Sequence, residues 1–147
     1  MAQPAPEPRF RPIFHLAIAA GTPQGVGPTP LGDRRAVPIL GGEFEGERLS
    51  GTILEGGSDW IMVRPDGVWE LNVRIVLLTT DDALIAMTYR GLRHGPADIL
   101  DKVGRGEPVD PMSYYFRSAI QFETAAPSYA WMNKTIALGY GYREAAG

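Results

Sequence analysis

Arg64-Pro65-Asp66-Gly67 followed by Val68-Trp69-Glu70-Leu71-Asn72-Val73-Arg74-Ile75-Val76-Leu77-Leu78 is the stretch that decides the fold. Proline presets φ, Asp can hydrogen-bond its own turn, and Gly accepts positive φ, so the first four residues read as a hairpin turn. In the run that follows, Trp69, Leu71, Val73, Ile75 and Leu77 share one face, while Glu70, Asn72 and Arg74 take the other. That two-residue period belongs to a half-buried strand.

Working outward, the same short apolar runs recur between glycines and prolines. Upstream, strands are expected over 13–20, 34–40 (broken at Gly41-Gly42, with 44–46 continuing past a bulge), 49–54 and 60–64. Downstream they are expected over 83–89, 114–123 and 135–142. Residues 22–32 hold too many breakers for a central strand and read as a rim or lid loop. Short helical turns are expected over 97–103 and 128–134. The 18 glycines and 13 prolines are spread along the chain, as a many-turn β protein requires. About eight strands at short spacing predict an all-β domain, a barrel or a sandwich. The barrel is preferred, because closure removes sheet edges and few charged residues guard edges here.

Residues 1–12 are proline-rich, lack the apolar core of a signal sequence, and read as a tail or edge peptide, leaving 13–147 as one domain. A chain of 147 residues can bury a core without staples. With no cysteine, it has no disulfide framework, thiolate metal site or thiol nucleophile. A net charge of −3 without a basic stripe disfavours nucleic acid and anionic membranes. The apolar runs are too short to span a bilayer as helices, so the expected location is the cytoplasm.

Candidate site residues are the polar ones on strands dominated by large apolar neighbours. Asp59, beside Trp60 after a flexible turn, is a carboxylate against an aromatic wall and a candidate general acid or base. The alternative is a turn cap beside a core tryptophan. Arg74 suits a carboxylate or enolate ligand if its face points inward, and is merely solvated otherwise, since a one-residue slip swaps the faces. Tyr115, Arg117 and Glu123 lie on one strand, the last two on the same face, either as a structural ion pair or as cavity lining. Trp131 and Asn133 are candidates to cover one barrel end. His15 and His94 have no second ligand at metal spacing, so neither a metal site nor a cofactor is expected, and there is no phosphate loop or serine elbow.

Gly41-Gly42-Glu43-Phe44-Glu45-Gly46, Leu49-Ser50-Gly51, Gly56-Gly57-Ser58-Asp59-Trp60, Arg64-Pro65-Asp66-Gly67, Thr80-Asp81-Asp82, Tyr115-Phe116-Arg117, Phe122-Glu123 and Trp131-Met132-Asn133 occur in that order. Over residues 14–142 this resembles the bacterial and fungal family called domain of unknown function 3237, or uncharacterised protein family 0311. The resemblance implies a closed, antiparallel, up-and-down β-barrel but no general activity. It marks Asp59, Trp60, Arg64, Arg117, Glu123, Trp131 and Asn133 as motif positions. Two departures stand out. Family members often have Asp-Gly where this chain has Asp81-Asp82, and the last strand is expected to run on where the chain ends at Gly147.

Three functions follow as expectations. The first is a barrel binding a small aromatic or carboxylated metabolite, with Trp60, Arg64, Arg74, Tyr115, Arg117, Trp131 and Asn133 as ligand contacts. The second is a cofactor-free isomerase, cyclase or lyase with Asp59 or Glu123 as base and Arg117 as electrostatic partner. The third is a structural protein whose exposed aromatics form a homodimer or tetramer.

Overall fold

The structure, a computed structural model, describes residues 2–144. In chain order it contains β1 (His15–Ala20), β2 (Gln24–Thr29), β3 (Gly32–Glu45), β4 (Ser50–Ile53), β5 (Ser58–Val63), β6 (Trp69–Thr79) and β7 (Leu84–His94). A short helix α1 (Ala97–Gly104), a 3₁₀ turn at Pro111–Ser113, β8 (Tyr115–Thr124), a 3₁₀ segment at Pro127–Lys134 and β9 (Ile136–Tyr140) complete it. The nine strands form one antiparallel sheet.

The all-β antiparallel expectation holds, with differences in strand count and order. Residues 22–32 contain a strand, β2, which pairs with the start of β3 and shifts register between Gly25 and Gly27. It escaped the sequence pattern because its glycines and prolines sit in an edge strand, the one place where missing donors are tolerated. β1 lies beside β3 instead of β2, so the order is not a simple up-and-down meander. The main path runs β1-β3-β4-β6-β7-β8-β9, and no ladder joins β1 to β9 among the described residues.

β3 organises the first half. It is one 14-residue strand where the sequence suggested two. Its early residues pair with β2 and β5, and its later ones with β1 and β4. The change of partners falls at Gly41 and Gly42, whose φ values of 152° and 145° suit glycine alone. A Cβ on Gly42 would collide with the Ala17 carbonyl, so the bend also needs the bare backbone. The Pro65-Asp66-Gly67 turn joins β5 to β6 as expected, with Gly67 at φ 85°. In the β6–β7 turn, Asp82 adopts a left-handed φ of 65°, a conformation that glycine takes freely and that aspartate tolerates better than most residues.

The inward faces pack into two clusters. The larger gathers Ile39, Phe44, Ile53, Leu77, Ile85, Phe122, Tyr129 and Met132, among others, at the end of the sheet where β6 meets β7. Leu77, Ile85 and Met132 have no exposed surface, and each fully buried side chain of this size stabilises the fold by about 1.5–3 kcal/mol. The smaller cluster, Val37, Ile61 and Leu71 with Trp69 and Phe116 against it, lies toward the other end. Among the described residues, no helix is long and apolar enough to cross a membrane.

Candidate functional site

Strand register stacks the inward residues of β5 to β9 in rows. One row is Asp59, Val73, Tyr89, Ile120 and Ala137. The next is Leu71, Gly91, Ser118 and Gly139. A third is Val63, Trp69, Arg93 and Phe116. The middle row has little side-chain volume on β7 to β9, and Leu71 and Ser118 pack over its glycines. A cavity of about 1920 Å³ is walled by Val37, Ile61, Trp69, Leu71, Val73, Phe116 and Phe122. Its lining includes consecutive residues of β1 and of β9. Because successive strand residues face opposite ways, the cavity must run along those strands' edges and out between them. Arg9–Phe14 of the N-terminal segment and Arg48 also line it.

Among the polar side chains that line this space, Asp59, Tyr89 and Arg93 interact electrostatically with one another. Arg93 is only 7% exposed, with its guanidinium carbon 4.6 Å from the Trp69 ring centre and 5.4 Å from that of Phe116. Among the described residues, no carboxylate lies within ion-pairing distance of it. Burial pulls its pKa below the usual arginine value. Asp59 is 9% exposed. Its Oδ1 accepts the Asn72 backbone N–H at 3.1 Å. The β5–β6 ladder skips the Asn72 position, so this bond satisfies a donor the sheet leaves open. Burial pushes the Asp59 carboxyl up from 3.8 to about 6, against the opposing pull of the Asn72 bond and the Arg93 charge. Burial also raises the Tyr89 hydroxyl, so it stays protonated as a donor.

None of the described buried side-chain nitrogens or oxygens is both sealed from solvent and without a partner. The Arg93 nitrogens, the Tyr89 hydroxyl and the Asp59 Oδ2 have no hydrogen-bond partner among the described residues. They therefore open onto the cavity. What this end can do chemically is bind an anion between aromatic walls, donate a hydrogen bond, and accept a proton near neutrality.

Of the residues singled out in the sequence, Asp59 and Trp131 line the cavity. Trp131 lies under the Arg48 guanidinium, 3.8 Å from it. The remainder sit elsewhere. Trp60 is exposed, its Nε1 donating to Ser58 Oγ at 3.2 Å. Arg64 at the hairpin bridges Asp66 and Glu70. Arg74 and Glu123 are exposed on the outer faces of β6 and β8. Tyr115 is exposed and stacks on His94 at 4.6 Å. Arg117 lies against Tyr140, 4.1 Å from its ring centre, and donates to the Phe116 carbonyl. Asn133 clamps Thr124, accepting its N–H at 2.7 Å and donating to its carbonyl at 2.9 Å.

Sequence reasoning missed Arg93 and Tyr89. The signal was there: alternation through Ile85, Met87, Tyr89, Gly91 and Arg93 marks one face. The strand expected over 83–89 stops short of Arg93, since Arg90-Gly91-Leu92-Arg93 mixes charge, glycine and an outward leucine.

Comparison with known proteins agrees with this architecture. Residues 8–147 match the family model described as "Protein of unknown function (DUF3237)". The chain belongs to this family. The UPF0311 protein of Rhodopseudomonas palustris is 38% identical over 133 residues, covering 90% of this chain and 87% of that protein. Its crystal structure superposes with a TM-score of 0.84, at 34% identity over 92% of this chain and 93% of the other. A UPF0311 protein of Clostridium acetobutylicum is 37% identical over 131 residues, covering 88% of this chain and 83% of that protein. A crystal structure from that organism has a TM-score of 0.80, at 36% identity over 90% of both chains. A β-barrel-like protein of Acinetobacter baumannii is 39% identical, with a TM-score of 0.72 over 90% of both chains. The family therefore shares the sheet that carries Asp59, Tyr89 and Arg93 here.

Proposed function

We propose that the chain binds a small aromatic carboxylate inside the sheet, with Arg93 holding the carboxylate and Trp69 and Phe116 flanking it. The observation that carries this reading is a buried guanidinium with no carboxylate within ion-pairing distance among the described residues, opening onto a large, mostly apolar cavity. Burying a charge without a partner costs free energy, and a bidentate carboxylate offsets that cost as it binds. An apolar pocket with a few convergent polar groups is the usual form of a small-molecule site.

Titration of cinnamate and of cinnamamide, followed by calorimetry and tryptophan fluorescence, tests this. Cinnamate should bind at least tenfold more tightly than its neutral amide, and Arg93→Met should remove the difference. Equal binding of acid and amide to the wild-type chain, or no binding of either, would count against the reading.

A second reading has its own observation. Ile136, Leu138 and Tyr140 are exposed in a row on β9, with Leu92 exposed on β7. Apolar surface of this kind suits self-association into a dimer or tetramer. Sedimentation of the wild-type chain against Leu138→Lys checks it. A wild-type monomer at micromolar concentration would remove that reading.

A further inference from the structure

We propose that the interior site is catalytic: Asp59 removes a proton from carbon next to the carbonyl of a bound aromatic 2-oxo acid, converting it to its enol. This rests on the binding reading above and assigns the roles of two groups that binding alone does not use. The three polar side chains match the three parts of such a substrate. Arg93 takes the carboxylate. The Tyr89 hydroxyl, a protonated donor without a partner among the described residues, faces the carbonyl oxygen. Asp59 presents a free Oδ2 to the acidic C–H, and its Oδ1 is fixed by the Asn72 N–H. That single backbone bond orients the carboxylate without consuming it.

The placement is set by the sheet. Asp59 and Tyr89 lie in one row with Val73 between them, so their backbones are two strand spacings apart, roughly 10 Å. Both side chains point inward from the sheet, so they border the cavity above Val73 from two sides. Arg93 is four residues beyond Tyr89 on the same strand, with side-chain-free Gly91 between them. Both Asp59 and Tyr89 feel the Arg93 charge. The groups facing Asp59 are Tyr89 and Arg93 from β7 and the Asn72 N–H from β6, while β3 contributes uncharged Val37 and, farther along, Arg35 to the same cavity.

The step balances without an oxidant or co-reactant. As the C3–H bond breaks, the proton bonds to Asp59 Oδ2 and the electron pair becomes the C2=C3 double bond. The carbonyl π pair moves to oxygen, where the Tyr89 hydrogen bond stabilises the enolate. Asp59 then returns the proton to that oxygen, giving the enol and restoring the carboxylate. A carboxyl buried enough to titrate near neutrality is a far better base for this than a solvated aspartate.

Phenylpyruvate in D₂O is the probe. Proton NMR follows exchange of its methylene hydrogens, and calorimetry on the same samples follows binding. The wild-type chain should exchange them about 100-fold faster than buffer alone. The rate should rise with pH to a plateau, with a midpoint near 6. Asp59→Asn, which keeps an acceptor for Asn72, should bind phenylpyruvate and exchange at the buffer rate. Tyr89→Phe should bind and lose roughly tenfold in rate. Binding by the wild-type chain with exchange at the buffer rate overturns the catalytic proposal and leaves the binding reading intact. Undiminished exchange by a folded Asp59→Asn overturns it too. Absence of phenylpyruvate binding overturns the binding reading as well.

Discussion

The two ends of the sheet each hold an aspartate and a tyrosine, and they treat them in opposite ways. At the packed end, Thr79 Oγ1 and the Tyr129 hydroxyl both donate to Asp81 Oδ1, and Thr79 Oγ1 accepts the Ala83 N–H at 2.8 Å. Those hydrogen bonds, first from Thr79 and then from Tyr129, hold the Asp81 carboxyl below its usual range. At the cavity end, Asp59 has one backbone bond, Tyr89 and Arg93 have no hydrogen-bond partner among the described residues, and burial drives Asp59 the other way. The first arrangement closes a turn against a filled core. The second leaves polar groups without partners beside empty space, which is what a ligand would complete.

The contrast can be broken most forcefully at the packed end. Met132 has no exposed surface, so Met132→Ala should destabilise by about 2–5 kcal/mol in denaturant unfolding. Ser118→Ala, in the small-residue row of the cavity, should change stability by less than about 0.5 kcal/mol.

The two aspartates should give pH dependences of opposite sign. Asp59 has a raised folded value, so its contribution is fully present when both states are protonated, below about 3.8, and is lost as pH rises through about 6. The displacement corresponds to roughly 3 kcal/mol. Asp59→Asn should therefore exceed the wild-type chain by up to that amount at pH 8 and match it at pH 3. Asp81 has a lowered value, so its contribution is present above the ordinary carboxylate range and fades as acid protonates it. Asp81→Asn should be less stable than wild type at pH 7 and converge with it in acid. Chemical denaturation across pH 3–8 reads both. Tyr129→Phe, which removes one hydrogen bond to Asp81, should cost about 1 kcal/mol.

How far the sequence could be read follows from the same two ends. The hairpin at Pro65-Asp66-Gly67 and the alternation of β6 were legible because turn chemistry and a two-residue period are local. The inward face of β8 (Phe116, Ser118, Ile120 and Phe122) was legible in the same way. β2 was not, since Gly25, Gly27, Pro28 and Pro30 mask a strand held by one neighbour only. Asp59 stands out for the aromatic beside it in sequence, yet Trp60 is exposed, and the tryptophan that lines the cavity with Asp59 from the neighbouring strand is Trp69. Arg64, Arg74 and Arg117 looked as eligible as Arg93, because residue type does not reveal burial. Only register, which pairs Arg93 with Trp69 and Phe116, separates them.

Arg93→Met tests the central claim most directly, in a thermal melt with and without cinnamate. A methionine fills similar apolar space without a charge, so the ligand-free variant should melt at or above the wild-type temperature. Cinnamate should raise the wild-type melting temperature by several degrees and leave the variant unmoved. A variant that melts well below wild type while still responding to cinnamate would show Arg93 to be a structural residue, and would contradict the account.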